Sequence, residues 1–80
     1  MIVAEVLGKP KASLHLFSNY SKMSTKTTVL IVEDDPIIAL EISHVMREAG
    51  YHIAGPAYTA ARAVDLLASG IVDFAILDIN

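Results

Sequence analysis

Thr28-Val29-Leu30-Ile31-Val32-Glu33-Asp34-Asp35-Pro36 is the stretch on which the fold turns. Val29–Val32 is an unbroken aliphatic and β-branched run, the signature of a strand buried on both faces of a parallel sheet. Three acids then follow, and a proline. Pro36 suits the first position of a helix, where its missing N–H costs nothing, and Asp35 before it is a natural N-cap. The helix is expected to run from Pro36 to Glu48 or Ala49. Its apolar stripe is read as Ile38, Ile42, Val45 and Ala49, widened by Ile37 and Met46, and Gly50 supplies the left-handed stop.

Further along, Tyr51–Ala54 reads as a short second strand closed by Gly55-Pro56. Thr59 is placed to cap a second helix over Ala60–Ser69, with Ala60, Val64 and Leu67 as its stripe and Gly70 as its end. Phe74–Leu77 is a third buried strand with Asp78 at its carboxyl end. The alternation β-α-β-α-β implies a parallel sheet with right-handed crossovers, an α/β fold.

Composition narrows the class. The 80 residues contain no cysteine, which removes disulfides, thiolate zinc sites and a Cys nucleophile together and favours a cytoplasmic setting. An apolar share of 54% with 19% charged residues is too apolar for a disordered chain. The net charge of −3 argues against a nucleic-acid partner, and no apolar run is long enough to span a bilayer. The charge is uneven. Residues 1–22 carry Lys9, Lys11 and Lys22 against Glu5, a net of +2, while residues 23–80 set three basic residues against eight acids, a net of −5. Gly8 and Pro10 break the first segment early, and regular periodicity starts at Val29. Residues 1–26 are therefore read as an N-terminal extension outside the functional unit, with Met23 a natural start, and residues 27–80 as the functional unit. The competing reading is that Ile2–Leu7 adds a strand to a sheet edge or forms a docking arm.

In an open parallel sheet, ligands bind beyond the carboxyl ends of the strands. Glu33 and Asp34 leave the end of the first strand and Asp78 the end of the third. If those strands are neighbours, the three carboxylates share one pocket and raise one another's pKa values. A hard divalent cation, Mg²⁺, resolves that conflict. The pattern points to metal-assisted phosphoryl chemistry with a carboxylate nucleophile.

Residues 29–80 resemble the first half of the receiver domain of bacterial two-component response regulators. The stretches that carry the resemblance are Thr28–Pro36 (TVLIVEDDP), Arg47–Tyr51 (REAGY), Gly55–Ala57 (GPA) and Phe74–Asn80 (FAILDIN). It implies a truncated flavodoxin-like doubly wound sheet with the three strands in the order 2-1-3. It also implies roles. Asp78 accepts a phosphoryl group from a phosphohistidine on a sensor histidine kinase or histidine phosphotransfer protein. Asp34 and Asp78 ligate Mg²⁺ directly, Glu33 acts through a metal-bound water, and the carbonyl of Asn80 is a further ligand. Asp35 is left to helix capping.

A full receiver continues with two more strands, which bring a hydroxyl and a lysine to the phosphoryl group, and three more helices. Neither group has a counterpart here, so an incomplete, weakly active or inactive module is expected, a phosphoacceptor rather than an enzyme. Phe74–Leu77 is then expected to form an exposed apolar edge open to self-association. The alternative is a fragment of a haloacid-dehalogenase-type Mg²⁺ phosphatase, which wants an acid where Asn80 stands. His44 lacks the following acid of a phosphohistidine box and is read as a solvent-facing helix residue; His15 and His52 show no metal spacing with it.

Overall fold

Leu30 and Ile31 illustrate the rule that builds the molecule. They are neighbours on one strand, both fully buried, and they belong to different cores. A computed structural model describes residues 1–6 and 27–78. In it, β1 (Ile2–Glu5), β2 (Thr28–Glu33), α1 (Pro36–Glu48), β3 (His52–Ala57), α2 (Ala60–Ala68) and β4 (Phe74–Asp78) follow in chain order. The four strands form one mostly parallel sheet in the order β1-β4-β2-β3. β2 pairs in parallel with both β3 and β4, and β1 runs antiparallel to β4. The chain is thus an α/β protein, and its three parallel strands lie in the expected 2-1-3 order.

Because side chains alternate across a strand, β2 feeds both layers. Val29 and Ile31, with Ile76, pack against Ile42 and Met46 of α1. Leu30, with Ala54, Ala57, Val72 and Ala75, packs against Ala63 and Leu66 of α2. Both helices lie mainly over β2 and β3. At the amino end of the sheet, Asp73 ties three strands together. Its Oδ2 accepts from Thr28 N at 2.8 Å, its N–H donates to Thr28 O at 2.9 Å, and its carbonyl accepts from Val6 N at 2.9 Å.

Both helix starts follow the sequence. Asp35 Oδ1 accepts from Ile37 N at 2.9 Å and Ile38 N at 3.4 Å, and Thr59 Oγ1 accepts from Arg62 N at 3.2 Å. The buried stripes follow it only in part, in α1 at Ile38, Ile42 and Met46. In α1 the sheet-facing residues are Ala39 and Ser43, flanked by the half-buried Ile38, Ile42 and Met46, while Ile37, Val45 and Ala49 face outward. In α2 the buried residue is Ala63, and Ala60, Val64 and Leu67 are exposed. Small side chains occupy the line of closest approach to the sheet, where a larger one would hold the helix off. Ser43 can sit there because its hydroxyl donates to Ala39 O at 2.7 Å.

The second strand also differs from its reading. It does not close at Gly55-Pro56 but continues to Ala57. Leu30 pairs with Ala54 and Val32 with Ala57, so β3 absorbs an extra residue as a bulge. Gly55 has φ +96° and its peptide bond to Pro56 is cis. β3 is an edge strand, where a proline's missing donor leaves no partner unpaired. The third strand likewise lacks the bare edge expected of it, because Ile2–Glu5 pairs along it, Ile2 opposite Leu77 and Glu5 opposite Phe74. This is the added-strand alternative. The expected boundary after residue 26 and start at Met23 fall on residues 7–26, outside the described residues.

Candidate functional site

Glu33 is the last residue of β2 and Asp78 the last of β4, and the two are register partners across the parallel ladder. Asp34 follows Glu33 on the turn into α1. All three line one groove of about 440 Å³ at the carboxyl end of the sheet, between the start of α2 and the end of β4. The convergence expected of these three acids is therefore present. Asn80, the fourth expected ligand, lies outside the described residues.

The acids are held differently. Glu33 is 1% exposed, Asp78 is half-buried and Asp34 is exposed. One Glu33 oxygen, Oε1, accepts from the backbone N–H of Asp35 at 2.9 Å. The other, Oε2, is buried with no hydrogen-bond partner. The Asp35 N–H is the largest single influence on the Glu33 pKa and lowers it. Burial and the nearness of the Asp34 and Asp78 carboxyl groups together outweigh that bond, and the pKa stands above its ordinary value. A buried carboxylate oxygen without a donor is costly to keep, and a cation or a cation-bound water in the groove would relieve it.

The donor set fits a hard divalent ion: oxygen ligands only, two of them on accessible carboxylates and one buried behind them. Among the described residues, however, no group of three His, Cys, Asp or Glu side chains is already drawn together at ligand spacing. Asp35, as expected, is engaged in capping and adds nothing to the groove. His44 is exposed and lies 3.9 Å from Glu48 one turn on.

A second cavity of about 250 Å³ lies on the α1 side, lined by Val3, Val29, Met46, Tyr51, Phe74 and Ile76 with Thr27. Among the described residues that line it, Tyr51 is the only one with an ionisable side chain, and the cavity lies away from the three acids. What the sequence reading missed is the apolar floor of the acidic groove. Tyr58, Val64, Leu67 and Leu77 line it, and the sequence pattern places Val64, Leu67 and Leu77 among the buried positions. Among the described residues, no helix is long and apolar enough to cross a membrane. The chain matches no family model, no curated protein and no solved structure.

Proposed function

We propose that the chain is a receiver-type phosphoacceptor module in which Asp78 takes a phosphoryl group from a phosphohistidine donor with Mg²⁺. The observation that carries this reading is the register of Glu33 against Asp78 at the carboxyl ends of neighbouring parallel strands, with Asp34 beside them in one groove. The resemblance of Thr28–Pro36 and Phe74–Asn80 to receivers supplies the roles. The β3-β2-β4 order agrees with a flavodoxin-like sheet, with β1 lying where that fold would set its next strand.

In the proposed transfer, the N–P bond of the donor phosphoimidazole breaks and a bond forms between a carboxylate oxygen of Asp78 and phosphorus, and the electron pair leaves with the imidazole nitrogen. Asp78 suits this role because it is half-buried, close enough to the core to be positioned and open enough to be reached. Asp34 and Asp78 are the direct ligands and Glu33 the acid that holds a bound water. A bound Mg²⁺ would neutralise charge on the transferring group. The partner is a sensor histidine kinase or a histidine phosphotransfer protein.

The test is incubation with a small acyl phosphate and Mg²⁺, followed by peptide mapping in a mass spectrometer. Slow labelling confined to Asp78 and abolished in Asp78→Asn is expected. Label that persists in the variant, or that maps to another residue, refutes Asp78 as the acceptor.

A further inference from the structure

In the floor of the acidic groove, Leu77 packs against the α2-side core, while Tyr58, Val64 and Leu67 belong to neither core. Val64 is 63% exposed and Leu67 39%, and both line the groove beside buried Ala63. With Leu77 and Tyr58 they form an apolar trough that ends at the three carboxylates. Among the described residues that line the trough, every charged one is acidic. The unpartnered Oε2 of Glu33 is buried at that end.

An apolar trough closed by carboxylates selects its occupant by charge complementarity. Nucleic acid and acidic peptides are repelled. A purely apolar molecule would cover the floor and leave the acids further desolvated without a partner, which is unfavourable. A chain segment with apolar side chains and a cation at its end satisfies both parts. The volume of about 440 Å³ lies within the usual range for a binding cleft.

We propose that this groove docks an apolar peptide segment of a partner protein that ends in lysine or arginine. The apolar side chains lie on Val64, Leu67 and Leu77, and the cation meets Asp34 and Asp78. The proposal rests on the reading of these carboxylates as a cation site, so the peptide and Mg²⁺ exclude one another. Affinity comes mainly from the floor, while the charge pair sets orientation and salt sensitivity.

The probe is a fluorescein-labelled synthetic helical peptide with leucines at i, i+4 spacing and two arginines at one end, titrated into the full chain by anisotropy. Replacing the arginines by glutamate, or the leucines by serine, is expected to weaken binding by about tenfold or more. Val64→Asp, an exposed substitution checked for an unchanged circular dichroism spectrum, is expected to do the same. Mg²⁺ is expected to displace the peptide. Equal binding of all three peptides, or binding indifferent to Val64→Asp, overturns the proposal. So does a sedimenting dimer that dissolves in Val64→Asp, which would give the groove to a second copy. Mg²⁺-induced amide shifts at Asp34 and Asp78 without any peptide binding would sink the docking proposal and leave the phosphoacceptor reading standing.

Discussion

Leu30→Ala tests the packing that holds the carboxylates in place. Leu30 is fully buried, and the other buried members of its cluster are Ala54, Ala57, Ala63, Ala75 and Val72. Four of those five are alanines, which have no side-chain freedom with which to fill a void. The cavity should therefore stay open, and the cost should fall in the upper half of the range for buried leucines, about 4 kcal/mol. A chain of this size has roughly 4–12 kcal/mol of total stability, so the variant is expected to be marginal or unfolded at room temperature. Urea titration followed by circular dichroism measures it. With a slope of about 1 kcal/mol per molar urea, the midpoint falls by several molar or disappears. Leu67→Ala is the control. Leu67 is 39% exposed and outside both buried clusters, so it should cost less than about 1 kcal/mol. A loss below about 1.5 kcal/mol for Leu30→Ala, or equal losses for the two leucines, would refute the assignment of Leu30 to the α2-side core.

Two glycines separate backbone strain from crowding. Gly50 (φ +100°) has nothing within 4 Å of an added Cβ, whereas at Gly55 (φ +96°) that Cβ would lie 2.7 Å from Ala57 N. Gly50→Ala should cost about 1–2 kcal/mol and Gly55→Ala clearly more by thermal melting; the reverse order would contradict the bulge geometry. The pH dependence of stability carries the signature of Glu33. Because its pKa is raised on folding, its favourable contribution is complete below the ordinary value of 4.5 and is lost as pH rises through the folded value. Melting temperature should therefore decline with pH across that window, and Glu33→Gln should flatten the decline. A variant curve parallel to the parent's would show that the burial of Glu33 does not govern it.

The sequence made the elements near the site legible because their signals are local. The aliphatic run before Glu33, the capping side chains of Asp35 and Thr59 and the glycine after α1 each act within a few residues. The convergence of Glu33 and Asp78 was legible too, since it needs only that β2 and β4 be neighbours. Three features were not. The α1 stripe was legible at Ile38, Ile42 and Met46 but not at Ala39 and Ser43, and the α2 stripe missed Ala63, because close packing selects those three for their small size. Gly55-Pro56 carries the chemistry of a turn, and only the pairing of Ala57 with Val32 makes it a bulge. The pairing of Ile2–Glu5 with β4 is a contact between distant residues, for which a short apolar run gives no direction. The exposed floor of the groove follows from the first of these, since Val64 and Leu67 had been counted as core.

The proposed function needs Glu33, Asp34 and Asp78 to form one cation pocket at the carboxyl end of the sheet. Amide chemical shifts of the full chain under Mg²⁺ titration test it most directly. The account gives saturable shifts concentrated at Glu33, Asp34 and Asp78, abolished by Asp78→Asn and accompanied by a rise in melting temperature with Mg²⁺ concentration, as expected for a ligand of the folded state. Shifts that are absent at those three residues at tens of millimolar, or that survive unchanged in Asp78→Asn, would contradict it.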